Sequence, residues 1–236
     1  MSASNLANAQ WQGEKPKIIT LNSGPGGKVG STAFEQLAAQ YASSHGSPLR
    51  GALAAGKVDP NTSEPVVLGA FSAGWGLVEA ILRVPEDRAR VRAVGAFDAY
   101  YTGPGKGRKP GYSAFAELAA NGQKAMVMTS SHIAGPTYPS SAASTDALMQ
   151  PIGLGPIPLR SVPPAECELA AGRGALRWYV YKNRSTGAAS HSQHATVLAP
   201  AFLPELVHGQ IGTGGGADML VVGLGAYVAG VELGWW

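Results

Sequence analysis

The chain is poor in cysteine and in charge. It has one cysteine, Cys167, among 236 residues, and charged residues make up 14% of the total. A single cysteine cannot form an internal disulfide, and no Cys or His spacing matches a zinc site, so we expect neither a metal nor a cofactor. The net charge is +3 and no basic block occurs, which gives little electrostatic support for nucleic-acid binding.

The chain also lacks a recognisable targeting segment. Its first residues show no basic start followed by an apolar core, which argues against a signal peptide and favours the cytoplasm. Residues 219–236 are nearly all apolar, but glycines and Glu232 interrupt them and no basic flank follows. We therefore expect the segment 212–236 to form a packed terminal strand or helix, or a contact between copies in a homo-oligomer. A membrane anchor is less favoured.

A glycine-rich loop, NSGPGGKVG at residues 22–30, follows the first predicted strand. A phosphate-binding P-loop requires Ser or Thr directly after its lysine, and here Val29 follows Lys28. Nucleotide binding is therefore not expected.

Apolar strands alternate with helical or loop crossovers, which predicts an α/β fold with a mainly parallel sheet and helices on both faces. At 45% hydrophobic residues, the chain can form one domain over residues 1–236. Residues 133–174 are rich in Pro, Ser, Gly and Ala and precede the last predicted strand, Leu176–Tyr181. We expect them to form a lid-like insertion with a short helix over about 165–171.

The most informative stretch is PVVLGAFSAGWGLVEAIL, residues 65–82. The run Val66–Phe71 predicts a buried strand, and helical apolar spacing resumes after Gly74. A serine between small residues at a strand-to-helix turn is the arrangement of a nucleophile elbow, G-x-S-x-G, although Ala70 replaces the first glycine here. Ser72 is therefore the candidate nucleophile.

Two further groups follow predicted strands and should reach the same sheet edge. Asp98 comes directly after VRAVGAF, and His191 and His194 follow LRWYVY. We favour Asp98 over Asp146 as the acid. We favour His194 as the base because it directly precedes a predicted helix over 194–207, with His191 as the alternative.

The order Ser, Asp, His resembles that of the α/β-hydrolase family over about residues 17–207. The resemblance implies a serine nucleophile that forms an acyl-enzyme, with backbone N–H groups as an oxyanion hole. One donor would be Ala73, after the nucleophile. The other would come from the glycine-rich loop, at Ser23 or Gly24.

The resulting hypothesis is a serine hydrolase that cleaves a carboxylic ester, small or polymeric, with Ser72, His194 and Asp98 as its triad. Amide hydrolysis and acyl transfer use the same groups. A non-catalytic binding or assembly protein with this fold is the alternative from another class. Side chains near the predicted triad are candidates to line the substrate pocket, namely Trp75, Tyr100, His132 and His191.

Overall fold

The computed structural model of the protein describes residues 16–22, 31–102, 108–135, 138–184, 186–211 and 219–224. The two candidates for the second oxyanion donor, Ser23 and Gly24, and most of segment 212–236 lie outside these ranges.

Eight strands in the described ranges form a single sheet. In chain order they are β1 (Lys17–Asn22), β2 (Val66–Phe71), β3 (Val91–Phe97), β4 (Ala125–Ser130), β5 (Gly155–Pro156), β6 (Cys167–Arg173), β7 (Leu176–Tyr181) and β8 (Met219–Leu224). Their spatial order is β1-β8-β2-β3-β4-β7-β6-β5. The first six in this order pair in parallel, and β6 and β5 continue the sheet antiparallel. The predicted α/β class with a mostly parallel sheet is confirmed.

Eight α-helices connect or flank these strands in the described part of the chain. They are α1 (Ser31–His45), α2 (Pro48–Ala55), α3 (Trp75–Arg83), α4 (Pro85–Arg90), α5 (Pro110–Ala120), α6 (Ser141–Met149), α7 (Gly187–Gln193) and α8 (Ala199–Val207). A short 3₁₀ turn, Ser72–Gly74, precedes α3, and a π-helical segment, His194–Leu198, joins α7 to α8.

Apolar side chains cover both faces of the sheet. On β2, Leu68 and Ala70 belong to a cluster that includes residues of α1, α3 and α5. Their neighbours Val67 and Phe71 point the other way and join a second cluster with α8. Because successive strand residues face opposite sides, a fully apolar strand such as β2 must be covered twice. This explains why its six residues are all buried.

The structure differs from the sequence prediction in residues 133–174. The expected helix over 165–171 is wrong, because these residues contribute to β6, which pairs with β7. The described part of the insertion also contains α6 and β5, so it extends the sheet and covers one face of it. Ala, Leu and Glu in CELAAGR favour a helix by propensity, and cross-strand pairing overrides that weak preference.

The C-terminal strand β8 lies inside the sheet, between β1 and β2. Val222, for example, is paired with Thr20 on one side and with Gly69 on the other. This agrees with a packed terminal strand. In the part of the chain that the structure describes, no helix is both long and apolar enough to cross a membrane.

We expect Val222→Pro to destabilise the fold by about 3 kcal/mol relative to Val222→Ala, because proline removes a ladder donor inside the sheet. Alanine truncates the side chain but keeps the backbone N–H, so it is the matched control. The free energy of unfolding from urea denaturation measures the difference. Equal stability of the two variants would contradict the position of β8.

Candidate active site

Ser72 occupies a strained turn between β2 and α3. The backbone is extended at Phe71, with φ −129°, and changes at Ser72 to φ +53°. A positive φ is uncommon in a residue other than glycine and persists only where the surrounding structure enforces it. The small residues Ala73 and Gly74 follow directly and leave space for the tight turn. The serine is half-buried at the carboxyl end of the strand.

The backbone N–H of Ala73 lies in the first turn of the 3₁₀ segment Ser72–Gly74. The first N–H groups of a helix have no partner within that helix. The Ala73 N–H is therefore free of helical pairing, beside the Ser72 hydroxyl, as an oxyanion donor requires.

Asp98 takes the equivalent position on the neighbouring strand. Phe71 of β2 pairs with Phe97 of β3, so the residues that follow, Ser72 and Asp98, leave adjacent parallel strands side by side. Asp98 also has a positive φ, +44°, and its side chain is fully buried. Two strained residues at one point of the sheet edge mark it as a candidate functional site.

His191 is the histidine that contacts this acid. Its Nδ1 lies 2.5 Å from Asp98 Oδ2, and its ring stacks on Phe71 with 4.6 Å between ring centroids. The imidazole thus lies between the acid and the residue that precedes Ser72. Among the described residues, no hydrogen bond joins Ser72 Oγ to His191 Nε2, so the structure shows the acid–histidine contact of a triad and not its serine–histidine contact.

Several donors surround the other oxygen of Asp98. Oδ1 accepts hydrogen bonds from the Ser131 N–H at 3.1 Å, from Ser131 Oγ at 3.0 Å and from Ser141 Oγ. Burial opposes ionisation, but the neighbouring imidazoles of His194 and His191 and the hydrogen bonds from His191 and Ser141 outweigh it and hold the pKa of Asp98 well below its usual range. The acid is therefore a carboxylate at neutral pH.

His194, which the sequence favoured as the base, makes no hydrogen bond to Asp98. It is fully buried, its Nδ1 lies 2.8 Å from Thr129 Oγ1, and its ring meets Tyr181 edge-on. Burial lowers the pKa of His194 to about 4, against the attraction of Asp98. It is therefore uncharged at neutral pH, and it gains its charge only in the acidic range, where it helps to hold the pKa of Asp98 low.

The helix that carries His191 begins earlier than the sequence analysis predicted. The sequence predicts a helix from His194, but α7 starts at Gly187, and Thr186 caps it by accepting a hydrogen bond from the Ala189 N–H. A threonine three residues before Ala189 was the available signal for this start. Placing the helix there puts His191 on it and moves His194 one turn further, into the core.

Other predicted residues have different positions. Trp75 and Tyr100 are buried in the core, at 6% and 1% exposure, and neither is among the residues that line the cavity described below. Tyr100 instead accepts a hydrogen bond from the Lys109 N–H. The alternative acid Asp146 is exposed on α6 and accepts a hydrogen bond from Gln150.

His132 lines an open cavity of about 490 Å³. Its Nε2 lies 2.5 Å from Glu168 Oε1, so the sheet edge carries a second histidine–carboxylate pair. Two lining residues, His132 and Ser140, are chain neighbours of Ser131 and Ser141, which hydrogen-bond Asp98. The cavity is lined by His132, Ser140, Ala142, Ala143, Glu168, Leu169, Trp178 and Val180.

The single cysteine is not part of this site. Cys167 is buried at the start of β6, and burial raises the pKa of its thiol, which disfavours the reactive thiolate. Within the described ranges, no group of three or more His, Cys, Asp or Glu side chains could hold a metal ion.

We expect acidification to destabilise the wild-type fold through His194. The unfolded chain binds a proton near pH 6.5, whereas the native state resists it until about pH 4. Stability is therefore lost as the pH falls through this interval, by about 3 kcal/mol. His194→Gln has no imidazole at this position and should not show this loss of stability. The unfolding free energy of the wild type minus that of the variant should therefore decrease between pH 7 and pH 4. Parallel pH curves would contradict the assignment.

Comparisons with known proteins add no identification. The chain matches no protein-family model, no curated protein and no solved structure. The arrangement of its own side chains is therefore the basis for assigning a function.

Proposed function

We propose that the protein is a serine hydrolase of the α/β-hydrolase type that cleaves a carboxylic ester, with Ser72 as nucleophile, His191 as base and Asp98 as acid. The observation that carries the proposal is the His191–Asp98 contact of 2.5 Å beside a serine at φ +53° on the adjacent strand. A buried acid that orients a histidine, close to a serine at a strained strand-to-helix turn, supports the proposal, because activation of a hydroxyl needs an oriented imidazole as its base.

In this mechanism His191 Nε2 takes the proton of Ser72 Oγ as the oxygen attacks the ester carbonyl. The Ala73 N–H stabilises the negative charge on the carbonyl oxygen of the tetrahedral intermediate. His191 then gives the proton to the departing alcohol, which leaves an acyl-serine. Water, deprotonated by the same nitrogen, hydrolyses the acyl-serine and releases the carboxylic acid and free Ser72.

Asp98 accepts the Nδ1–H of His191 and stabilises the imidazolium that forms. The donors from Ser131 and Ser141 keep Asp98 ionised and fix its orientation. A carboxylate in this position favours the tautomer in which Nε2 is the free base. Amide hydrolysis and acyl transfer would use the same groups, and the ester is the substrate with the better leaving group.

We expect a fluorophosphonate probe to label the native protein and to leave Ser72→Ala unlabelled, because the probe reacts with an activated serine hydroxyl. In-gel fluorescence with heat-denatured protein as background measures this. Ser113→Ala is the control, since Ser113 lies on α5 and its hydroxyl makes no hydrogen bond in the described part of the chain. Undiminished labelling of folded Ser72→Ala would rule out Ser72 as the nucleophile.

The two histidines should differ sharply in activity. His191→Ala removes the base, and we expect kcat/KM for p-nitrophenyl butyrate to fall by about a thousandfold or more. His194→Gln changes only a neutral packed side chain, and we expect a loss within about tenfold. Circular dichroism verifies that both variants are folded. The reverse ranking in folded proteins would assign the base to His194.

A further inference from the structure

The cavity that His132 and Glu168 line has mostly apolar walls. Ala142 and Ala143 of α6 form one side, and Trp178 and Val180 of β7 form another. Leu169 of β6 completes the lining and stays 43% exposed. Among the described residues, Leu159 is the other large apolar side chain with comparable exposure, and it does not line the cavity.

A strand irregularity exposes Leu169. The register between β6 and β7 shifts between Cys167 and Leu169, and the Cys167 thiol hydrogen-bonds the Leu169 carbonyl at 3.3 Å. The two consecutive residues Glu168 and Leu169 are consequently both exposed and both line the cavity. Such irregularities re-aim side chains and are common next to active sites.

The polar side chains that line the cavity have hydrogen-bond partners within the protein. His132 and Glu168 form a close pair, and the Ser140 hydroxyl caps α6 by accepting a hydrogen bond from the Ala143 N–H. A cavity of this size lies in the range of small-molecule sites. Apolar walls with a self-neutralised rim suit an uncharged apolar group better than an ion.

The position of the cavity relative to Ser72 sets the length of such a group. Ser72 follows β2, and Trp178 and Val180 lie on β7, three strands away in the sheet. At about 4.8 Å per strand this is about 14 Å. An extended hydrocarbon chain advances about 1.3 Å per carbon, as a C–C bond near 1.5 Å implies, so about eleven carbons cover the distance.

We propose that this cavity binds the far end of a long apolar chain on the ester that Ser72 cleaves, and that Leu169 is a specificity-determining residue for chain length. The proposal rests on the proposed hydrolase function. This hydrocarbon belongs to the acyl or to the alcohol side of the ester. On either side it is unbranched and about eleven carbons long.

The test compares Leu169→Asp with the matched control Leu159→Asp in the full chain. Each methylene that is taken out of water contributes roughly fourfold to binding. We expect Leu169→Asp to lower kcat/KM at least tenfold for p-nitrophenyl dodecanoate or dodecyl acetate, and to leave p-nitrophenyl acetate within twofold. Leu159→Asp should leave all three substrates within twofold. The long ester that is affected identifies the side of the bond.

Equal effects of Leu169→Asp on short and long esters, or the same chain-length loss in Leu159→Asp, would overturn the proposal. Calorimetry of 1-dodecanol binding to Ser72→Ala separates this failure from failure of the hydrolase assignment. Binding that is lost in Ser72→Ala/Leu169→Asp supports the cavity even if no ester is cleaved, and absence of binding to Ser72→Ala overturns it even if esters are cleaved.

Discussion

The candidate site depends on one buried carboxylate. Asp98 has no exposed surface, and it is held by His191 on one oxygen and by Ser131 and Ser141 on the other. Removing a partner of such a buried charge destabilises the folded protein by about 3–5 kcal/mol, because the charge is then left without compensation. The carboxylate thereby fixes the relative positions of β3, the end of β4, α6 and α7.

The insertion over residues 133–174 supplies part of the surroundings of Asp98. Its helix α6 brings Ser141 to Asp98 and contributes the Ala142 and Ala143 wall of the cavity. Its strand β6 contributes Glu168 and Leu169 to the same cavity. One inserted segment therefore both supports Asp98 and forms walls of the cavity, so changes in this segment would affect the geometry of the carboxylate and the shape of the cavity together.

The sequence alone was sufficient where local chemistry decides the structure. The apolar run before Ser72 and the small residues after it predict the strand, turn and helix, and Asp98 could be placed because it directly follows a buried strand. The local sequence does not decide which of His191 and His194 contacts Asp98. The choice depends on where α7 begins, because α7 carries His191, whereas His194 starts the π-helical segment that follows and is fully buried.

The strands β6 and β8 show the same limit. CELAAGR has helical propensity and becomes β6 only because β7 offers it an edge. The apolar run at residues 219–236 could indicate a strand, a helix or a contact between molecules, and nothing local selects its neighbours. Pairing partners far apart in sequence are determined by the whole sheet, and periodicity carries no information about them.

The position of β8 in the sheet also affects the order in which the protein can fold. β1 and β2 have no direct pairing with each other, and the strand that joins them begins at residue 219. During synthesis, most of the chain leaves the ribosome before the two parts of the sheet can be connected. Until then β1 has no strand neighbour and one edge of β2 stays open, a state that invites pairing with other chains. Completion of the sheet is therefore a late, long-range event in folding.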